Sequence, residues 1–154
     1  MRTEVTRTFP VTLRKGFAYI DDFTSWPAWY SGMVEILEPG RGAWRRAGDR
    51  VRFAYKLLGR RVEGASVLEA REEGARSVFR TEVPGLPTFH FEYHFAAAGP
   101  EAFQLKVVMR TDEPAGLLGK VLDRAVLPRV VEADLRKSLE NLEQVFGSKS
   151  RRDR

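Results

Sequence analysis

The chain has 154 residues, a net charge of +5, and apolar and charged shares of 43% and 31%. That length suits one domain with a core of its own, and that composition is neither disordered nor membrane-like. The absence of cysteine excludes disulfides, thiolate catalysis and zinc–thiolate sites.

The basic excess is uneven. Residues 148–154 hold Lys149, Arg151, Arg152 and Arg154 against Asp153, which is +3 of the +5. This predicts a domain over 1–147 and a basic, disordered tail over 148–154. The alternative for the tail is a transient contact with an anionic membrane; no specific nucleic-acid partner is expected. The N-terminus (Met1 to Glu4) lacks the apolar core of a signal peptide. Lys120, Asp123, Arg124 and Arg129 break the longest helical stretch, so no transmembrane segment is expected and the cytoplasm is the default address.

In chain order, residues 3–11 alternate as a first strand, with Val5 and Phe9 in phase. Leu13, Phe17 and Ile20 then recur at helical spacing behind Thr12, a suitable N-cap. A second short helix carries Pro27 in its first turn together with Trp26, Trp29 and Tyr30, and Gly32 ends it. From 33 to 112 the pattern is strand and turn: 33–38, 50–57, 61–70, 76–83, 88–96 and 102–111. Leu58-Gly59, Glu73-Gly74, Pro84 to Pro87 and Ala98 to Pro100 separate them. Short turns between alternating runs predict an antiparallel meander. From about 114 to 146 the period returns to helical through Leu118, Val121, Leu122, Ala125, Val131, Leu135, Leu139, Leu142 and Phe146. Pro128 is expected to kink or split that helix and Gly147 to end it.

The expected architecture is therefore α+β: a curved antiparallel sheet of six to seven strands wrapped around a long C-terminal helix, with two short helices after the first strand. One sheet face is rich in aromatics, and a single helix leaves space inside a strongly curved sheet. An apolar ligand cavity is expected there. Its wall is assigned to Trp26, Trp29, Phe53, Tyr55, Phe89, Phe91, Tyr93, Val107, Met109, Leu122 and Ala125, with Arg129 near the mouth as a candidate for an anionic head group.

Polar candidates are few. His90, Glu92 and His94 share a strand face, but consecutive same-face positions lie about 7 Å apart. The aromatics Phe89, Phe91, Tyr93 and Phe95 claim the inner face, so the triplet is read as solvated and no metal is assigned. Arg7, in phase with Val5 and Phe9, is read as a charge reaching to solvent from near an edge. Tyr55 and Tyr93 can orient a ligand through their hydroxyls. Asp22 caps the next turn rather than pairing with Asp21 for catalysis. There is no Ser/His/acid arrangement, phosphate loop or cofactor motif, and no catalytic residue is assigned.

The run Phe17-Ala18-Tyr19-Ile20-Asp21-Asp22-Phe23-Thr24-Ser25-Trp26-Pro27-Ala28-Trp29 resembles a signature of the polyketide cyclase/dehydrase and START-like superfamily. An amphipathic helix there leads into an Asp-Phe pair, a Trp, and a Gly before the second strand. Asp22, Phe23, Trp29 and Gly32 match in order. The pattern of Ser138, Leu139, Asn141, Leu142 and Phe146 is also similar, and the element order matches over about residues 3–146. The resemblance implies a helix-grip fold with a cavity between sheet and last helix for lipids, polyketides or isoprenoids and quinones. It implies no fixed catalytic set, since the superfamily spans aromatase/cyclases, lipid-transfer proteins, quinone-binding proteins and hormone receptors. Three functions follow as expectations: a binder or carrier of a small hydrophobic molecule, a cyclase or dehydratase-like enzyme in the same cavity, or an interaction module using the tail or an edge strand.

Overall fold

The period-two alternation becomes a seven-stranded antiparallel sheet in the computed structural model, which describes residues 2–39, 44–112 and 126–152. The strands are β1 (Arg2–Phe9), β2 (Met33–Pro39), β3 (Arg50–Leu57), β4 (Arg60–Glu72), β5 (Arg76–Glu82), β6 (Phe89–Ala97) and β7 (Phe103–Thr111). Their order across the sheet is β1-β7-β6-β5-β4-β3-β2. The chain thus starts at one edge and crosses to the other through α1 (Leu13–Asp21), a 3₁₀ turn (Phe23–Ser25) and α2 (Trp26–Trp29). It then returns by meander until β7 pairs with β1. The last helix, α3 (Val126–Arg152), lies over β1 and α2. This is the α+β helix-grip arrangement, and no helix among the described residues is long and apolar enough to cross a membrane.

Local chemistry sets the turns and caps. Thr12 Oγ1 accepts the Lys15 amide at 3.2 Å and Asp22 Oδ1 accepts the Thr24 amide at 3.0 Å, so each side chain satisfies an orphan donor at a helix start. Pro128 lies in α3 two residues after its described start at Val126, and the segment it was expected to split off lies outside the described residues. The helix runs on through Gly147 to Arg152, so the stop expected at that glycine is absent and residues 148–152 keep helical backbone. Gly147 does not take the positive φ that a glycine stop uses, so the helical backbone continues through it. Leu118, Val121, Leu122 and Ala125 lie outside the described residues.

Curvature comes from irregular pairing. Register shifts fall between Met33 and Glu35, between Ile36 and Glu38, and between Leu68 and Ala70. A bulge bends its strand and adds one residue to the count. In β4 it also reverses the facing. Leu68 opposes Phe79, but Arg71 opposes Ser77, so an even-numbered inner face becomes an odd-numbered one.

One end of the sheet is closed by rings. Phe9 packs 5.2 Å from Phe103 and 5.4 Å from Phe146, and Phe17 meets Phe95 edge-on at 4.9 Å. Gly16 lets α1 approach this cluster, since a Cβ there would lie 2.1 Å from the Phe103 ring. Val131, Leu135, Leu139, Leu142 and Phe146 form the buried stripe of α3. Each contributes roughly 1.5–3 kcal/mol through burial.

Candidate functional site

Toward the start of α3 the packing opens. There the sheet, α2 and Val131 surround a cavity with about 880 Å³ of space outside atoms, mouth included. About 80 Å³ of it can take the centre of a water-sized molecule. Its walls are mostly apolar. Trp26, Trp29 and Tyr30 come from the α2 segment, Phe53 and Tyr55 from β3, and Phe79 from β5. Phe89, Phe91, Tyr93 and Phe95 project from β6, and Val83 and Leu86 from the turn before it. The stacking of Phe79 on Phe91 at 5.2 Å makes one continuous aromatic floor.

Seven of the residues assigned from sequence lie together here: Trp26, Trp29, Phe53, Tyr55, Phe89, Phe91 and Tyr93. Val107 and Met109 do not. They are fully buried on β7, within the packed core beneath α3. Arg129 is exposed and is not part of the wall. Arg7 is half-buried and pairs with Glu143 at 3.7 Å. His90 lies on the convex face 3.0 Å from Asp112, and His94 lies 3.4 Å from Glu92.

Buried polar side chains hold the frame. Ser25 Oγ sits 2.7 Å from the carbonyls of Tyr19 and Asp22, and it accepts Trp29 Nε1 at 3.1 Å. Trp26 Nε1 donates to Ile20 O at 3.0 Å. The helix α3 is tied to this segment by Asn141, which donates to Trp29 O at 3.0 Å, and by Ser138 Oγ, which accepts the Ser31 amide at 2.8 Å. Gly32 (φ +91) makes the turn into β2, and the Tyr55 ring occupies the place a Cβ would take, 2.8 Å away.

Two polar poles face the cavity region. At the first, the Tyr55 hydroxyl donates to Asp134 Oδ2 of α3, and the Tyr30 ring lies 6.4 Å from Tyr55. Burial pushes the Asp134 carboxyl above its usual range, and hydrogen bonds from Tyr55 and Ser31 pull it partly back. Burial raises the Tyr30 phenol, helped by the Asp134 charge, and raises Tyr55 with help from Tyr30 and Asp134. Tyr93 is raised by burial, then by Tyr30. These phenols are proton donors, not phenolates.

At the second pole, Asp21 Oδ2 accepts from Arg71 Nε at 3.0 Å and Nη2 at 2.8 Å. The pair is largely buried, at 11% and 18% side-chain exposure. Burial raises the Asp21 carboxyl and the Arg71 bonds oppose that rise. The Arg71 guanidinium also lies 5.4 Å from the Phe17 ring centre. Ser77, directly across from Arg71, lines the cavity, as does the Ser66–Thr81 hydroxyl pair at 2.9 Å.

Asp134, Arg71, Ser77, Phe79 and Trp44 were not singled out from the sequence. Asp134 carried a signal: it precedes Ser138 by one turn on the stripe that buries Leu135. Trp44 carried none, since it stands outside any strand with φ +79 and packs edge-on to Trp26 at 4.9 Å.

A curved sheet gripping a helix around an apolar cavity defines a ligand-enclosing class of domain. The family described as "Polyketide cyclase / dehydrase and lipid transport" matches residues 1–147, and the chain belongs to it. Solved structures agree in fold. The Zhui aromatase/cyclase from Streptomyces sp. R1128 shares 20% identity at TM-score 0.76, covering 100% of this chain and 96% of that one. A protein from Thermus thermophilus shares 16% at 0.76, covering 97% and 99%. A START superfamily protein from Mycobacterium smegmatis shares 12% at 0.73, covering 96% and 97%. No curated protein matches the chain in sequence.

Proposed function

We propose that the protein binds a small hydrophobic molecule in the cavity between the sheet and α3, as a carrier or receptor. The observation that supports it most is the aromatic floor left uncovered by α3, with Phe79, Phe91 and Tyr93 in mutual contact. Affinity comes from apolar area removed from water, at about 25 cal/mol per Å². The Val83–Leu86 turn, on the cavity wall, is placed to admit the ligand. Native mass spectrometry of the purified protein tests the reading. A co-purifying apolar molecule, or a thermal shift with a quinone, fatty alcohol or polyketide, supports it; an empty protein that shifts with none of them removes it.

A second reading is favoured by the Tyr55–Asp134 pair beside Tyr30. A neutral phenol can hydrogen-bond the oxygen of a substrate carbonyl and stabilise the charge that builds on it, while a closed cavity positions the carbon chain for ring closure or loss of water. Ring closure of a poly-β-ketone by the wild type, slowed at least tenfold in Tyr55→Phe, would establish it. Equal rates in the two proteins would dismiss it.

A further inference from the structure

The second polar pole has unused hydrogen-bonding capacity. Both Arg71 bonds fall on Asp21 Oδ2, and Asp21 Oδ1 is buried without a partner among the described residues. Ser77 Oγ is likewise buried and unpartnered, on a residue only 3% exposed. Both residues line the cavity. Arg71 links the two, since its guanidinium holds Asp21 and its backbone stands directly opposite Ser77 in the β4–β5 register. An unsatisfied buried polar atom costs roughly 1–3 kcal/mol. Two such atoms, on residues that line one cavity and flank one arginine, point to a missing polar partner.

The chemistry of the pair selects that partner. An ionised carboxylate oxygen only accepts, whereas a serine hydroxyl both donates and accepts. A group that offers one proton and one lone pair satisfies both. The charge is already balanced, because the Arg71 guanidinium is committed to Asp21. A second carboxylate would meet Asp21 Oδ1 without a free cation, and burying it there is unfavourable. A plain hydrocarbon would leave both oxygens orphaned.

Resting on the reading of the cavity as a ligand site, we propose that this pole receives the hydroxyl end of an uncharged apolar molecule, an alcohol or phenol. Asp21 Oδ1 accepts the ligand's hydroxyl proton and Ser77 Oγ donates to its oxygen, while carboxylates are turned away. The remaining apolar body lies along the Phe79–Phe91 floor.

Three probes of one shape test this on the full chain: naphthalene, 2-naphthol and 2-naphthoate, titrated by calorimetry at pH 7.5. The wild type should prefer 2-naphthol about tenfold over naphthalene, one hydrogen-bond pair's worth. It should bind 2-naphthoate at least tenfold more weakly than 2-naphthol. Ser77→Ala should erase the naphthol-to-naphthalene preference, and because it removes an orphaned hydroxyl it should not lower the melting temperature of the free protein. Equal binding of naphthol and naphthalene, a preference that survives Ser77→Ala, or a preference for naphthoate overturns the proposal while leaving the cavity a ligand site. Binding of none of the three removes both readings.

Discussion

Asp134 and Asp21 are carboxyls drawn out of water by the fold, and both have their pKa raised by burial. The sign of their effect on stability follows. A carboxyl raised above its usual 3.8 holds its proton more readily folded than unfolded. The stabilisation this brings is complete below 3.8 and is lost as pH rises through the raised folded value. Asp134→Asn keeps an oxygen for Tyr55 and removes the titration. The stability of the wild type relative to this variant should therefore fall as pH rises from about 4 toward neutrality, read from urea midpoints; a flat or rising difference contradicts it. Arg71→Met leaves Asp21 buried without its cation and should lower stability by about 3–5 kcal/mol, much of it recovered in the Arg71→Met/Asp21→Asn double variant. Asp134 was legible only through its place one turn before Ser138, and Asp21 not at all. Asp21 resembles any acid at a helix end, and only the pairing of distant β4 against α1 gives it an arginine.

Elements were far more legible than contacts. The alternation of Arg50–Leu57 and Phe89–Ala97 fixes strands and inner faces from residue type alone, and the spacing of Val131, Leu135, Leu139, Leu142 and Phe146 fixes the buried side of α3. Polar ties between elements left fainter marks. Ser138 and Asn141 stood out only as part of a familiar pattern, yet they bind α3 to the α2 segment. Ser138→Ala strands the Ser31 amide and should lower stability by about 1–2 kcal/mol in chemical denaturation. Gly16→Ala tests how α1 docks on β7. Helix propensity favours alanine by about 1 kcal/mol, but the added methyl strikes the Phe103 ring, so net destabilisation of about 1–3 kcal/mol is expected. Phe103→Leu in the same chain should relieve it. A stabilised Gly16→Ala would show that the ring moves freely.

At the scale of the molecule, among the described residues the seven strands and the last helix enclose more volume than their side chains fill at the α2 end. Val62 projects into that space, and Val62→Phe should reduce probe binding more than about tenfold while holding or raising the melting temperature. The sequence showed which residues are aromatic and inward, but not how far α3 covers them. Val107 and Met109 carry the same inward pattern as Phe91 and Tyr93, and only the position of the helix separates core from cavity wall. The bulge between Leu68 and Ala70 carries a different kind of information. Upstream of it even positions face inward, and downstream odd ones do, so Arg71 reaches Asp21 through a count of residues and not through its own identity. Glu69 is the residue the ladder skips: Leu68 pairs with Phe79 and Ala70 with Val78, so deleting it would restore regular alternation and leave Arg71 facing inward opposite Ser77. The bulge is thus a place where β4 can gain or lose a residue without changing what its inner face presents. A chain could in this way change the length and bend of a strand while its charged pole and its aromatic floor stay the same, letter for letter.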